Sequence, residues 1–210
     1  MNIKIICSDC DGVLANVDHD YSKSGYYVNK DNVKIHDGIN KFMFQSKYLV
    51  KSWMVNEITY REINKIMADR LNISENKLND ILRQSIEKME WNWDLINLYQ
   101  KYRKNGVNVV ITTDNMDIFT EIAVPYHKFD TYFDKIYNSA DMGILKLENN
   151  LQFFKGISKE FNLPPNEILI IDDNKEIIEK ANGFGYKTYL YNMDTYNNFE
   201  KWFGKTEYCA

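Results

Sequence analysis

Apolar positions along the chain change their spacing twice. A short run, Ile3, Ile5 and Ile6, is closed by two acids, Asp9 and Asp11, and by Gly12. The stretch from 16 to 90 then begins polar and rich in Tyr and Asn (Asn16 to Asn32) before turning helical. Thr59-Tyr60-Arg61-Glu62 is a capping box that opens a helix with Ile63, Ile66, Met67 and Leu71 at helical spacing. Ser74 caps a second helix with Leu78, Ile81, Leu82, Ser85 and Met89 on one face. The two predict an antiparallel helix pair inserted into the chain.

From Trp91 helix and strand alternate. A stripe of Leu95, Ile96, Tyr99 and Tyr102 ends in Lys101, Arg103, Lys104 and Gly106, as the helix dipole and a glycine stop favour. A β-branched strand over 107–115 follows, then a weaker one near Lys135–Tyr137 and a helix carrying Leu151, Phe154, Ile157 and Phe161. Beyond Pro164-Pro165 come the apolar strand 167–174, a helix with Ile177, Ile178 and Ala181, and the strand 187–191. The end of the chain, with Phe199, Trp202 and Phe203, reads as a short amphipathic helix on the core. Short apolar strands alternating with helices predict an α/β fold, a parallel sheet covered on both faces.

Composition narrows the picture. The 210 residues suit one core with a small insertion, and 44% apolar with 27% charged residues is the balance of a globular protein. A net charge of −4 without a basic stripe argues against nucleic acid as a partner. No apolar run reaches the roughly 20 residues of a membrane span, and Met1–Ile6 is too short for a signal peptide, so a cytoplasmic protein is expected. Three cysteines make no disulfide framework. Cys7 and Cys10 form a C-x-x-C, yet residues three apart on a strand point to opposite faces, against a redox or zinc site.

In parallel sheets ligands bind beyond the carboxyl ends of the strands. Three strands end there in polar residues: Asp9 and Asp11; Thr112, Thr113 and Asp114; Asp172 and Asp173. Asp9 and Asp11, two apart in extended chain, point the same way and repel unless a cation faces them. Mg²⁺ prefers oxygen ligands and commonly bridges carboxylates to a substrate phosphate. The acids thus predict magnesium, and magnesium predicts a phosphate.

Asp9-Cys10-Asp11-Gly12-Val13-Leu14 resembles the first motif of the haloacid dehalogenase superfamily, D-x-D-G-[TV]-L after an apolar strand. Thr112-Thr113-Asp114-Asn115 is similar to its second motif, Lys146 stands where the third motif's lysine would, and the run Ile170–Asn174 resembles the acidic fourth. The resemblance implies a Rossmann-like parallel sheet core with helices on both faces (1–15 and 91–210) and a small α-helical cap domain (16–90) inserted after the first strand. It implies Asp9 as nucleophile and Asp11 as general acid and base. Lys146 and a threonine would hold the phosphoryl oxygens, with Thr113 preferred over Thr112 because it precedes Asp114-Asn115, and Gly12 and Asp114 would complete the phosphate site. Asp172 and Asp173, with Asp9 and the Asp11 carbonyl, would hold Mg²⁺.

The function implied is a Mg²⁺-dependent phosphomonoesterase acting on a small phosphorylated metabolite through an aspartyl phosphate. A phosphomutase or phosphotransferase of the same fold, or a non-catalytic phosphate-binding protein, are the alternatives. Having both Asp9 and Asp11 disfavours a dehalogenase, since a leaving oxygen needs a proton. His19, His36 and His127 show no ligand spacing. Trp91 and Trp93 read as junction packing, and Tyr60 and Arg61 as a solvated helix start, the alternative being that Arg61 meets an anionic substrate.

Overall fold

The computed structural model describes residues 3–15, Tyr27, 33–192 and 196–205. Strand β1 (Ile5–Ser8) leads to four helices, α1 (Val33–Gln45), α2 (Lys47–Met54), α3 (Tyr60–Leu71) and α4 (Glu75–Glu87). Then follow α5 (Trp93–Lys104), β2 (Asn108–Thr113), the short α6 (Val124–His127) and α7 (Phe129–Tyr132), β3 (Lys135–Asn138) and α8 (Ser139–Met142). The chain continues through α9 (Gln152–Phe161), β4 (Ile168–Asp172), α10 (Lys175–Gly183), β5 (Lys187–Leu190) and α11 (Tyr196–Lys205). The polar stretch Asn16–Asn32, with His19, lies outside the described residues except for Tyr27.

The five strands form one parallel sheet in the order β3-β2-β1-β4-β5. Their continuous apolar runs are explained by burial on both faces. Ile6, Val109, Ile111, Leu169 and Ile171 share one core with Leu95 of α5 and Phe199 of α11. Ile5, Cys7, Val110, Ile168 and Ile170 share another with Phe154 of α9 and Ile177 of α10. Cys7, in β1, and Cys10, in the turn after it, fall in different cores. Burial pushes both thiols upward, so neither is a ready thiolate.

Both predicted cap helices form where their caps say. The Thr59 and Glu62 side chains cap α3 reciprocally, and Ser74 accepts from Lys77 N–H at the start of α4. Capping and periodicity predict two helices in this insertion; the structure adds α1 and α2. Ile35, Ile39 and Phe42 supply a buried face for α1 and Trp53 one for α2. Met89 falls beyond α4, and Ile86 takes its place on the buried face. Between β2 and β3 the chain makes a π-helical turn, Phe119–Ala123, in which Val124 N–H reaches the Phe119 carbonyl. Pro125, next in the chain, has no N–H to return to an α-helical ladder, which accounts for the wide turn.

The chain leaves and re-enters the sheet domain at neighbouring points. Ala15 is bridged to Asp11 on one side and to Trp91 on the other, and Asn92 N–H donates to the Leu14 carbonyl at 2.8 Å. Among the described residues no helix is long and apolar enough to cross a membrane.

Candidate active site

The site lies at the carboxyl ends of β1, β2 and β4. Asp9 extends the ladder of β1 by one residue, its N–H donating to the Ile171 carbonyl at 2.8 Å. The chain then turns at Gly12, whose φ of +77° lies in the left-handed region. A Cβ there would overlap the Asp173 carboxylate, so glycine serves both the turn and the close approach of an acid from the end of the neighbouring strand β4.

Lys146 comes from the loop between α8 and α9 and is buried, with 2% of its surface exposed. Its Nζ lies 2.9 Å from Asp9 Oδ2 and 2.7 Å from Asp172 Oδ2. The loop is built to hold it there. Lys146 N–H donates to Asp114 Oδ1 at 2.8 Å, and Lys180 Nζ donates to the Leu147 carbonyl at 2.9 Å. Asn149, Asn150 and Leu151 are all left-handed, with φ of 46°, 56° and 61°, a costly run for non-glycine residues that tertiary contacts must sustain. Asp172 is fully buried and also accepts from Asn174 N–H at 2.8 Å. The capping of α10 falls to Asn174, leaving the acids at the strand end for other work.

Asp9, Asp172 and Asp173 each offer a carboxylate oxygen, all within 4.8 Å of one another. Burial first, and then the Asp172 charge, push the Asp9 carboxyl well above its ordinary range, against the pull of Lys146. Burial pushes Asp11 up to about 6, opposed by Lys146 and assisted by Asp173. Burial works against the Lys146 ammonium, yet Asp9, Asp172 and Asp114 hold it above the usual lysine range. One cation therefore serves several acids. The all-oxygen donor set and its surplus negative charge fit Mg²⁺, which Asp9, Asp172 and Asp173 would hold.

β pairing sets the two threonines apart. Ser8 pairs with Ile111 and with Ile171, so Thr112 and Asp172 stand level with Asp9. Alternation puts Thr112 on the face of Val110 and Thr113 on that of Ile111. The Thr112 hydroxyl is buried without a hydrogen-bond partner among the described residues. The neighbours Asp114-Asn115, which favour Thr113 in the sequence, do not fix the face. Asp114 is turned to the Lys146 main chain; its pKa is raised by burial, and as a carboxylate it accepts hydrogen bonds, which suits holding Lys146 and not a phosphate.

Three polar residues around the site have no role assigned by the sequence, although Asn115 lies within the second motif. Asn115 Nδ2 donates to Asp11 Oδ2 at 3.3 Å. Asp117 accepts from Trp53 Nε1 at 2.6 Å and from Tyr60 N–H at 3.0 Å. Ser139 donates to the Met54 carbonyl at 2.7 Å. All three follow strands β2 or β3, a position that could have marked them. Arg61 pairs with Glu121 at 3.0 Å on an exposed surface, His36 contacts Asn40, and His127 contacts the Ile86 carbonyl beside Trp91 and Phe129.

A family model described as haloacid dehalogenase-like hydrolase matches residues 3–185. No curated protein sequence matches the chain. Among solved structures, a predicted HAD-like family hydrolase from Porphyromonas gingivalis is similar, with a TM-score of 0.76 at 18% identity over 99% of this chain and 100% of its own. A HAD family enzyme from Bacteroides thetaiotaomicron, in complex with magnesium and inorganic phosphate, gives 0.68 at 19% identity over 94% and 99%. The L-2-haloacid dehalogenase of Xanthobacter autotrophicus gives 0.61 at 15% over 89% and 76%. At these identities the likeness is one of fold.

Proposed function

The chain belongs to the haloacid dehalogenase-like hydrolases, and on that premise we propose that it hydrolyses the phosphomonoester of a small phosphorylated metabolite with Mg²⁺, through a phosphoryl group carried on Asp9. The observation that carries this reading is the Lys146 ammonium shared between Asp9 and Asp172, with Asp173 completing an oxygen donor set. The magnesium and phosphate held by the Bacteroides thetaiotaomicron relative support it. Residues 16–90 act as the cap and 1–15 with 91–210 as the catalytic core.

An Asp9 carboxylate oxygen attacks phosphorus and the bond to the leaving oxygen breaks. Asp11 gives its proton to that oxygen, then takes one from the water that attacks the aspartyl phosphate, so that inorganic phosphate leaves and Asp9 is restored. Lys146 and the Thr112 hydroxyl hold the phosphoryl oxygens, and Gly12 keeps the turn open beside them. Bound Mg²⁺ would offset charge on the phosphoryl group and the acids. The protonatable Asp11 favours ester cleavage over dehalogenation, because a halide leaves without a proton.

The test is phosphate release from p-nitrophenyl phosphate by wild type and Asp9→Asn, with Mg²⁺ or with EDTA. Release should need the metal and fall at least about a thousandfold in the variant, the scale of losing a nucleophile. Metal-independent release, or release that survives Asp9→Asn, would sink the proposal. Phosphorylation of Asp9 without release to water would point to a phosphotransferase.

A further inference from the structure

The helices inserted after β1 touch the catalytic acid through a chain of hydrogen bonds that the chemistry above leaves unused. It starts at the carbonyl of Met54, the last residue of α2, which accepts from Ser139 Oγ at 2.7 Å. Ser139 Oγ in turn accepts from Asn115 N–H at 3.0 Å. The Asn115 side chain has its orientation fixed, since Oδ1 accepts from Met116 N–H at 2.9 Å, which leaves Nδ2 to donate to Asp11. Asn115 and Ser139 are both buried, so water does not readily stand in for a missing partner.

A hydroxyl has one proton to give. Ser139 Oγ has two carbonyls in reach, Met54 at 2.7 Å and Asn115 at 3.1 Å. With α2 seated, the shorter bond to Met54 takes the proton. With α2 withdrawn, the proton turns to the carbonyl of Asn115, the residue whose amide holds Asp11. The seating contacts surround this joint: Trp53 and Tyr60 on Asp117, and Lys51 on Glu148 at 2.8 Å, two residues past Lys146.

We propose that Asn115 is a positioning residue for Asp11, and that Ser139 makes this positioning depend on whether the cap helices are seated. The inference rests on the phosphatase reading, in which Asp11 protonates the leaving oxygen. An acid displaced by about 1 Å loses on the order of a hundredfold in rate, so an unseated cap leaves the site slow while it is open to bulk water.

The experiment compares Mg²⁺-dependent phosphate release from two esters of one shape, p-nitrophenyl phosphate and phenyl phosphate. Nitrophenolate departs with little help, whereas phenolate depends on the acid. Asn115→Ala should lose about tenfold more kcat on phenyl phosphate than on p-nitrophenyl phosphate, a fraction of the full value of general acid catalysis, with KM little changed. Ser139→Ala should shift the ratio the same way, and Ser139→Thr, which keeps the hydroxyl, should restore it. Asp117→Ala, which unseats the cap, should reproduce the shift, and the double variant with Asn115→Ala should go no further. Equal losses on both esters, or additive shifts in the double variant, would overturn the proposal. Wild type releasing phosphate from neither ester would instead defeat the phosphatase reading. Hydrogen exchange at Asn115 N–H needs no turnover: protection lost in Asp117→Ala supports the coupling, and unchanged protection overturns it.

Discussion

Where the strands end, charge is concentrated and buried; where α2 and α3 rest on the core, polar contacts are spread out and graded from buried to exposed. Lys146 faces Asp9 and Asp172 with almost no water around any of the three. The seat instead combines a buried bond, Trp53 to Asp117, with pairs in reach of solvent, Lys51 to Glu148 and Arg61 to Glu121. Removing one member of a buried ion cluster strands its partners, whereas an exposed pair is replaced by water. The first region is therefore intolerant of change, and the second spreads its hold over contacts that water can in part replace.

The sharpest way to break that contrast is Lys146→Met. Without the ammonium, Asp9 and Asp172 lose their shared partner, and urea unfolding without Mg²⁺ should show a loss of about 3–5 kcal/mol. A near-neutral result would mean that the acids simply protonate, and the rim would be no less forgiving than the seat. Trp53→Phe should cost about 2–3 kcal/mol, because an acid at Asp117 loses a buried donor, while the rise in melting temperature on adding Mg²⁺ stays as in wild type. Gly12→Ala should cost about 1–3 kcal/mol from left-handed strain. Unlike Trp53→Phe it should also blunt the Mg²⁺-induced rise, since the new methyl displaces Asp173. Lys51→Ala should leave the melting temperature where it is, the pair with Glu148 being exposed on the lysine side. A clear drop there would make the seat electrostatic after all.

The same contrast explains what could be read before the fold was known. Strand ends announce themselves, since a β-branched run stopping at Asp9, Thr112 or Asp172 marks both a direction and a rim. The order of the motifs located Lys146, though nothing in its immediate sequence says that it reaches two acids. Thr112 and Thr113 could not be separated because the choice depends on sheet register, a property of two strands and not of one. Asn115, Asp117 and Ser139 act through partners 104, 64 and 85 positions away, Asp11, Trp53 and Met54, and no local pattern carries that information. The helix α1 escaped notice although Ile35, Ile39 and Phe42 keep a helical spacing, because the exposed Phe44 blurs its polar face.

The paired crossing at Ala15 and Trp91 has a consequence for how such a protein can change over time. Helices α1 to α4 hang from a doorway whose two posts are joined by a bridge and by the bond from Asn92 to Leu14. Closing a longer loop across a fixed gap costs only about 0.6 kcal/mol per doubling of its length. A lineage can therefore lengthen, shorten or exchange what hangs in the doorway while the strand ends keep their carboxylates. The inserted helices and the strand-end carboxylates become separately inheritable, two modules meeting at a joint.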